Sequence, residues 1–524
     1  MMKGKVYIVG AGPGDIGLLT VKGLMCLQKA EVVIYDFHLN AQVLNYINHD
    51  AEFIYVGKRS GRHTMTQDEI NEILIQKAKE GKIICRLKGG DPFIFGRGGE
   101  EAEALAKNAI EFEIVPGVSS FIAAPAYAGI PLTHRLYSSS LAVIPGYEDT
   151  TKKESAIDWS KLSTGVGTLV FLMAVKNIDL VTQKLIENGR NLDTPVAVIR
   201  WGTRPDQKTI TGTLRNIVEL VKEKDIKPPA VMVVGDVVRL RESLKWYEKK
   251  PMFGYRILVT REHPEGSERL EELGAEIIEF PTVEIVPPES YDELDKSIDK
   301  IATYDWLIFT SRNGVKYFLK RFFERGRDIR DLKGINICAI GTKTAKEIKK
   351  YGIKVDLIPD EFRAEGLIEA FTSELPGLAP RSGAGRTPNS ELLRGMRFLL
   401  PRAEKAREIF PEKVRELGGE IDIPVAYRAV KPELRGKRLR RFLKEGKISI
   451  ATFTSTATFN NFVEIMGERA DELLKGVAIA VIGPVTARAV ENAGLKVDIM
   501  PREATIEALV EEIIKWATKP HEPL

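Results

Sequence analysis

Cysteine, histidine and long apolar runs are all scarce in this chain of 524 residues. The three cysteines, Cys26, Cys85 and Cys338, form no CxxC pair, which predicts neither a zinc site nor a disulfide framework and fits a reducing cytoplasm. The six histidines include no HExxH pair, so we expect no protein-bound metal. No apolar run is long enough to span a bilayer, and the N-terminus leads directly into a predicted strand, so we expect neither a membrane segment nor a signal peptide.

A large excess of charge of one sign is also missing. Lysine and arginine number 77 and aspartate and glutamate 73, which gives a net charge of +4. Bulk charge therefore does not predict nucleic-acid binding. A small polyanionic ligand would have to be met by local clusters, such as Lys58, Arg59 and Arg62, or Arg86 with Lys88.

Short apolar runs alternate with longer helical patterns along the whole chain. Examples are VYIVG, VVIYD and PVAVI in the first half, and RILVT, WLIFT and IAVIG in the second. This rhythm predicts α/β domains with mostly parallel sheets, and the length predicts roughly three or four of them. A polar segment broken by proline and glycine at 246–256 marks the main boundary.

The second half carries an internal duplication, which predicts two similar α/β units. Five patterns recur in the same order: ILVTR (257–261) and FLLPR (398–402), LGAEI (273–277) and LGGEI (417–421), FTS (309–311 and 453–455), AIGTKTA (339–345) and VIGPVTA (481–487), and YGIKVDLIP (351–359) and AGLKVDIMP (493–501).

The most informative stretch is ICRLKGGDPFIFGRGGEE at 84–101. A buried strand runs into Gly89 and Gly90, where the backbone can approach a ligand closely. Asp91 then offers a carboxylate, and the residues 93–95 offer an apolar wall. This order of strand, glycines, acid and apolar wall predicts a site for an adenosyl group.

Another glycine-rich turn, GAGPGD, follows the first predicted strand. The main alternative interpretation of this turn is a dinucleotide-binding loop. Asp36, at the end of the next strand, stands where that fold places its ribose-binding acid. However, Pro13 lies inside the turn and Asp15 replaces the third glycine, which counts against a nucleotide-dependent dehydrogenase.

The first half resembles the uroporphyrinogen-III C-methyltransferases of the tetrapyrrole methylase family over nearly all of residues 3–245. The motifs are VGAGPGDIGLLTVKG (9–23), VVIYD (32–36), GKRSGRHTMTQDEIN (57–71), RLKGGDPFIFGRGGEE (86–101), VPGVSS (115–120), PAYAGIPLTHR (125–135), TPVAVIRWGTRPDQ (194–207) and PPAVMVVGDVV (228–238). The chain departs from the family with IPGY at 144–147, where a Thr-Gly-His turn is usual, and with MAV at 173–175 in place of Met-Gly.

This resemblance implies two α/β domains with a cleft, one S-adenosyl-L-methionine per subunit with S-adenosyl-L-homocysteine as product, a tetrapyrrole substrate and a homodimer through this half. The implied cofactor contacts are Pro13, Gly89, Gly90, Asp91, Ile94, Ser119, Ser120, Met173, Gly202 and, lining the pocket, Ala230. Asp91 would bind the ribose or the amino group, and Ile94 and Met173 would enclose the adenine.

The resemblance also implies that Asp36 accepts a proton and Lys58 donates one. The alternatives are a solvated acid at a strand end for Asp36 and a contact to substrate carboxylates for Lys58. Arg97 has glycine on both sides, which favours substrate contact over an ordinary surface charge.

Residues 254–517 resemble uroporphyrinogen-III synthase through the duplication and through FTSRNGV (309–315), FRAEGL (362–367), FLLPRAE (398–404) and VAYRAV (425–430). The resemblance implies two α/β domains joined by a two-stranded ladder, formed near 280–288 and 423–432, with linear hydroxymethylbilane between the domains. Predicted substrate contacts are Thr310, Ser311, Asn313, Thr342, Thr454, Ser455 and Thr486, each with helix capping as its ordinary alternative.

Tyr427 matches the family tyrosine thought to assist departure of the hydroxyl group, and packing within the ladder is its alternative. A non-catalytic alternative for the whole second half is a two-lobe binding module.

Together these patterns predict a cytoplasmic bifunctional enzyme of sirohaem and cobalamin biosynthesis, without nucleic-acid or membrane partners. The methyltransferase would occupy 1–247, with subdomains at about 1–134 and 135–247. A linker would occupy 248–255. The synthase would occupy 256–520, with one lobe at about 256–281 plus 433–520 and the other at about 289–423.

Overall fold

The computed structural model describes residues 4–36, 43, 46–48, 50–57, 65–146, 157–261, 266–361, 364–373, 392–406, 408–432, 436–467 and 469–519. The chain forms two compact units. The first comprises Met1–Phe280, Lys437–Thr456 and Glu468–Leu524, and the second comprises Pro281–Gly436 and Ala457–Gly467.

Strands and helices alternate through both units. The strands are β1 (Lys5–Gly10), β2 (Val32–Tyr35), β3 (Glu52–Tyr55), β4 (Ile83–Lys88), β5 (Glu111–Val115), β6 (Leu141–Pro145), β7 (Thr168–Leu172), β8 (Pro195–Arg200), β9 (Lys208–Thr213), β10 (Ala230–Val234), β11 (Arg256–Val259), β12 (Glu276–Glu279), β13 (Glu284–Val286), β14 (Trp306–Phe309), β15 (Asn336–Ala339), β16 (Arg397–Leu399), β17 (Arg402–Ala403), β18 (Glu420–Asp422), β19 (Val425–Val430), β20 (Ile450–Phe453) and β21 (Ala478–Val481). The helices are α1 (Val21–Lys29), α2 (Gln67–Lys79), α3 (Gly98–Lys107), α4 (Ser120–Tyr127), α5 (Trp159–Gly165), α6 (Ile178–Glu187), α7 (Ile217–Glu223), α8 (Arg241–Leu244), α9 (Ser267–Glu272), α10 (Asp292–Asp299), α11 (Arg312–Glu324), α12 (Thr342–Lys349), α13 (Ala364–Ser373), α14 (Ile409–Glu416), α15 (Lys437–Lys444), α16 (Thr456–Met466), α17 (Ala470–Leu473), α18 (Pro484–Asn492) and α19 (Ile506–Thr518).

The first sheet is parallel throughout, in the order β3-β2-β4-β1-β5. Its middle strands, β1, β2 and β4, are largely apolar because separate hydrophobic clusters pack on both of its faces. Helix α2 starts at a capping box in which the Thr66 side chain and the Glu69 side chain each bond the other's backbone. The glycine-rich turns follow β1 and β4, two neighbouring strands in the middle of the sheet.

The second sheet has the order β6-β7-β10-β8-β9, and only the β6–β7 pair is parallel. The prediction of mostly parallel sheets is therefore wrong here. The cause is local, since β8 and β9 are joined by a loop of residues 201–207 that is too short for a crossover helix, so they pair as antiparallel neighbours.

The third sheet, in the first unit, has the order β12-β11-β20-β21, and the sheet of the second unit has the order β15-β14-β16-β18. Both are parallel throughout, and their duplicated strands occupy equivalent places. The match extends to side chains, because Asp356 accepts a bond from the Ile337 amide at 2.9 Å and Asp498 accepts one from the Ile479 amide at 3.0 Å. The predicted duplication is confirmed.

The segments predicted to form a two-stranded ladder do pair in the second unit, but within a three-stranded sheet of order β13-β19-β17, and their role in joining two domains stays a prediction. Residues Glu284–Val286 of β13 pair with Val430, Ala429 and Arg428 of β19, and β17 lies on the other side of β19. The α/β fold class is confirmed, whereas the domain boundaries proposed from the sequence stay predictions.

Within the described ranges, no helix combines the length and the apolar character needed to cross a bilayer.

Candidate functional site

The two glycine-rich turns of the first sheet lie against each other. Gly12 and Gly90 form an antiparallel bridge, in which the Gly90 amide donates to the Gly12 carbonyl at 2.8 Å and the Gly12 amide donates to the Gly90 carbonyl at 3.2 Å. Both glycines have positive φ, 77° and 68°, which an L side chain adopts at a cost. The turns therefore meet as bare backbone.

A third glycine, Gly117, completes this contact after β5. A Cβ added at Gly117 would lie 2.3 Å from the Gly90 carbonyl oxygen, and one added at Gly10 would lie 2.6 Å from the Gly117 Cα. Only residues without side chains fit at such separations. We call Gly10, Gly90 and Gly117 the glycine cradle.

Asp91 holds the cradle together. Its carboxylate accepts the Phe93 amide at 2.8 Å and the Gly117 amide at 3.0 Å. Both carboxylate oxygens are thus already engaged by the protein, although each retains a further lone pair. The predicted contact of Asp91 to a ribose or an amino group stays a prediction, and the contacts seen give it a positioning role.

The N-terminus of α4 also borders the cradle. Ser119 is its buried N-cap, without a side-chain capping bond, and its Cα lies 3.7 Å from the Cβ position of Gly90. Ser120 is the first helical residue and is partly buried. Free amides at such a helix start bind polar or negative groups.

The remaining predicted cofactor residues lie in the turn after β1, in the 201–207 loop and next to the ends of β7 and β10. Gly202 lies against α4, because its Cβ position is 2.3 Å from the Ala124 Cβ. Pro13, half-buried, lies in the turn whose next residues contact the 201–207 loop, since the Asp15 amide donates to the Thr203 hydroxyl at 3.1 Å. Met173 directly follows β7, and Ala230 begins β10, in which the next residue, Val231, pairs with Leu172 at the end of β7.

Two of the predicted apolar contacts are open to solvent. Ile94 is 41% exposed and Met173 is 53% exposed. Met173 also has a φ of 59°, and Phe95 and Arg97 have φ of 54° and 59°. Left-handed backbone at non-glycine residues concentrates at ligand sites, where the surrounding structure imposes it.

Asp36, predicted to act as a base, is the outer end of a buried charge network. Its carboxylate oxygens lie 3.0 and 3.2 Å from Arg86 Nη2, and its side chain is 30% exposed. Arg86 Nε donates to Glu101 Oε1 at 3.0 Å, and Lys88 Nζ lies 2.8 Å from the same oxygen. Glu101 is fully buried, and Gln67 adds a third contact to its Oε1 at 3.2 Å. The guanidinium therefore fixes the direction of the Asp36 carboxylate.

This network corrects one expectation from the sequence. Arg86 and Lys88 were candidates to meet a polyanionic ligand, but both are buried and bound to Glu101. Burial, and secondarily the neighbouring Arg86 guanidinium, lower the pKa of Lys88. The other candidate cluster, Lys58, Arg59 and Arg62, lies outside the described residues, and so does the predicted proton donor Lys58.

Arg97 remains available for a ligand. It precedes α3, its side chain is 57% exposed, and it forms a two-point pair with Glu100 at 2.9 and 2.6 Å. Its predicted contact with substrate stays a prediction.

Sequence reasoning missed Glu101 as a site residue. A signal was present, because Arg86 and Lys88 alternate with Cys85 and Leu87 and so share one face of a buried strand. Two cations on the inward face of a strand require a buried acid.

In the second unit the structure brings two predicted substrate residues together. The Tyr427 and Ser311 hydroxyl oxygens lie 3.0 Å apart, and Ser311 also caps α11 by accepting the Gly314 amide at 2.9 Å. The Tyr317 ring lies 5.8 Å from that of Tyr427, which is 8% exposed. Ser311 therefore caps a helix and Tyr427 packs against another ring, as their ordinary alternatives predict, and their hydroxyl groups are also paired with each other.

The other predicted synthase residues take varied positions. In the second unit Thr310 and Asn313 flank Ser311 and are partly buried, and Thr342, at the start of α12, is exposed. In the first unit Thr454 and Ser455 follow β20 and are partly buried. Thr486 is only 3% exposed, and its duplicate Thr344 is buried too, which favours packing over ligand contact for this position.

We expect Tyr427→Phe to slow formation of the cyclised product by about 10-fold or more, because the ring stays in place while the hydroxyl donor is lost. Ser311→Ala should have a smaller effect on rate and also destabilise α11 by about 1 kcal/mol through loss of its cap. The measurement is the initial rate of type III isomer formation from hydroxymethylbilane. Tyr351→Phe, a partly buried tyrosine of the same unit, is the control. A normal rate for Tyr427→Phe would leave Tyr427 a packing residue.

Because of Glu271, on α9 of the first unit, we expect the stability of the protein to depend on pH. Desolvation by neighbouring groups, together with the nearby carboxylates of Asp15, Glu279 and Glu268, raises its pKa to about 7, although the residue is exposed. A raised pKa means that its contribution to stability is complete below the unfolded value and is lost as pH rises through 7. Glu271→Gln should therefore raise the Tm by about 2 °C at pH 8, after discounting for solvent screening, and leave it unchanged at pH 4.

The control for this measurement is Glu272→Gln, an exposed neighbour on the same helix. The measurement is the Tm from calorimetric melting curves at the two pH values. An equal change in Tm at pH 4 and pH 8 would contradict the raised pKa of Glu271.

Comparisons with known proteins identify two family regions on this chain. The family model of tetrapyrrole (corrin/porphyrin) methylases matches residues 5–218, and that of uroporphyrinogen-III synthase HemD matches residues 265–511. A solved structure of uroporphyrin-III C-methyl transferase from Thermus thermophilus, complexed with S-adenyl homocysteine, is 34% identical and covers 45% of this chain and 94% of its own, with a TM-score of 0.39.

Two curated relatives extend the match. The S-adenosyl-L-methionine-dependent uroporphyrinogen III methyltransferase of Methanosarcina barkeri is 55% identical over 241 residues, which cover 46% of this chain and 94% of the relative. The porphyrin biosynthesis protein HemD of Ruminiclostridium josui is 36% identical over 518 residues, which cover 98% of both chains. The resemblance predicted from the motifs is confirmed, and the chain belongs to the porphyrin-biosynthesis family of that relative, with a tetrapyrrole methylase region followed by a uroporphyrinogen-III synthase HemD region.

Proposed function

We propose that this chain is a bifunctional enzyme that makes and then methylates a tetrapyrrole. The second half cyclises hydroxymethylbilane to uroporphyrinogen III. The first half methylates uroporphyrinogen III at C2 and C7 with S-adenosyl-L-methionine and gives precorrin-2. The observation that carries the proposal is the presence of both family regions on one chain, matched from end to end by one relative.

The glycine cradle and its neighbours fit the proposed cofactor. Bare backbone at Gly12 and Gly90 lets a ligand approach the amides and carbonyls, and the free amides at the start of α4 suit a carboxylate or hydroxyl groups. The exposed side chains of Ile94 and Met173 offer apolar surface for adenine. When bound, S-adenosyl-L-methionine supplies an electrophilic methyl group.

The protein's own part in the methylation is positioning and proton transfer. The substrate carbon must be aligned for attack, and the cationic methylated macrocycle then loses a proton from another of its positions. Asp36 is the proposed acceptor of that proton, because Arg86 holds its carboxylate while 30% of the side chain remains exposed. Arg97 and Lys58 are the proposed cations for the substrate carboxylates, with Lys58 also a candidate proton donor.

In the synthase half, the reaction eliminates the terminal hydroxyl group of the linear substrate and closes the ring with inversion of the last pyrrole. The Tyr427 hydroxyl, paired with Ser311, is the proposed donor to the departing hydroxyl group. The Ser and Thr hydroxyls at the strand ends are the proposed partners of the substrate carboxylates.

One incubation tests the whole proposal. Hydroxymethylbilane supplied with S-adenosyl-L-methionine should yield precorrin-2, and without it should yield uroporphyrinogen III, as identified by chromatography and mass spectrometry. Uroporphyrinogen III supplied with the cofactor isolates the first half. A product of the type I isomer alone would refute the synthase assignment, and unmethylated uroporphyrinogen III in both incubations would refute the methyltransferase assignment.

Two finer points belong to the same proposal. Calorimetry should show binding of S-adenosyl-L-homocysteine and none of NAD, which separates this enzyme from a dehydrogenase. The homodimer implied for the methyltransferase half predicts twice the mass of the chain by light scattering. A cytoplasmic location stays a prediction.

A further inference from the structure

The loop of residues 201–207, between β8 and β9, is strained. Besides Gly202, a proposed cofactor contact, it contains Trp201 with φ of 50° and Thr203 with φ of 73°. Left-handed backbone at such residues is unfavourable and persists only where surrounding contacts impose it. The contacts that hold this loop therefore control the position of Gly202.

Some of these contacts come from the methyltransferase half and from the first residue of the predicted linker. The Thr203 hydroxyl accepts the Asp15 amide at 3.1 Å, and the Thr203 amide donates to Gln207 Oε1 at 2.9 Å. Gln207 in turn donates to Glu248 Oε1 at 2.8 Å. Thr203 and Gln207 are both buried, so the base of the loop is firmly attached.

The other contact comes from the synthase half. Arg256 is the first residue of β11, in the third sheet, and its side chain is 7% exposed. Its Nη2 lies 2.9 Å from Asp206 Oδ1 in the loop, while its Nε donates to Glu276, its partner in the neighbouring strand β12. The Arg256–Asp206 contact is an ion pair lying off the ideal hydrogen-bond direction, so its contribution is mainly electrostatic.

Burial makes this pair more effective than a surface ion pair. Arg256 is anchored on one side by Glu276, which has 9% of its side chain exposed, and presents its charge to Asp206, which has 32% exposed. Asp206 has one further cationic neighbour, Arg204, at 3.5 Å, and that guanidinium lies 4.8 Å from the Trp201 ring centroid within the same loop. Arg256 is thus the cation that joins the loop to a different sheet.

We propose that Arg256 and Asp206 are positioning residues for cofactor binding, and that through this ion pair the affinity of the methyltransferase half depends on the folded synthase lobe. The inference rests on the proposed function, because Gly202 matters only if the cradle binds S-adenosyl-L-methionine. The two residues act on the loop and touch no reacting atom.

The test uses the full-length chain and titration calorimetry with S-adenosyl-L-homocysteine. Asp206→Asn should weaken binding by at least about threefold and raise the KM for the cofactor while kcat and the synthase rate hold. Arg256→Gln should weaken binding by a similar factor. The affinity of the double variant should be no lower than that of the single variant that binds less tightly, because each substitution removes the same contact. Asp193→Asn, which breaks the exposed pair of Asp193 with Arg215 at the other end of β8, should leave the affinity unchanged.

The outcomes separate this inference from the proposed function. A wild-type chain that fails to bind S-adenosyl-L-homocysteine refutes the function. A wild-type chain that binds, together with an Asp206→Asn variant that binds within twofold of it, refutes the inference alone. A lowered Tm with unchanged affinity also refutes it, because that result gives the pair a purely structural role. Should Arg256→Gln not fold, Asp206→Asn decides the question.

Discussion

Replacing Gly117 by alanine is expected to weaken binding of S-adenosyl-L-homocysteine by at least about 100-fold, or about 2.7 kcal/mol. The added Cβ would lie 2.3 Å from the Gly90 carbonyl oxygen and 2.7 Å from the Gly10 Cα. Both neighbours are backbone atoms, so the turns after β1 and β4 would have to separate. The same shift would draw the Gly117 amide away from Asp91, which holds the Asp91–Phe93 turn.

The matched control is Gly99→Ala, in α3, where an added Cβ meets no atom within 4 Å. This substitution should leave the affinity unchanged and stabilise the helix slightly. A cooperative thermal unfolding transition shows that each variant is folded. Tight binding by Gly117→Ala would mean that the cradle is not the cofactor site, and the proposed cofactor contacts of Gly89 and Gly90 would then be wrong.

Much of the fold was predictable because short apolar strands between helical patterns have few stable arrangements. The duplicated half was predicted best, since its repeated motifs mark the same strand ends twice, as FTS does after β14 and β20. The direction of the strands in the second sheet was not predictable. PVAVI and VMVVG are buried on both faces in an antiparallel pairing, and such runs have the same apolar composition as parallel strands.

Only part of the candidate site was predictable, for a similar reason. The glycine turns were evident because a glycine pattern is local in the chain. The network behind Asp36 was not, because it depends on β2 and β4 being neighbours, with Arg86 paired to Ile34 near the end of β2. The bracing of the 201–207 loop by Arg256 depends in the same way on the approach of two sheets that are separate in sequence.

The network behind Asp36 supports the second large effect. Asp36→Asn should lower the turnover of methylation by about 10²–10⁴-fold, the usual contribution of a general base, with the affinity for S-adenosyl-L-homocysteine within about twofold of wild type. The amide is close in shape to the carboxylate and still accepts a bond from Arg86, but it takes up no proton. Asp50→Asn, an exposed acid near β3, is the control.

A substitution at Arg86 distinguishes a base from an acid that only maintains the fold. Arg86→Lys keeps the positive charge but loses the planar group that bonds Asp36 and Glu101 at once. If Asp36 is the base, turnover should fall less than in Asp36→Asn, because the carboxylate is kept and only its partner changes. If Asp36 only maintains the fold, both variants should lower the Tm and leave the turnover of the folded protein unchanged. Turnover of Asp36→Asn within twofold of wild type would show that Asp36 takes no part in the mechanism. The proton acceptor would then have to be another group near the glycine cradle.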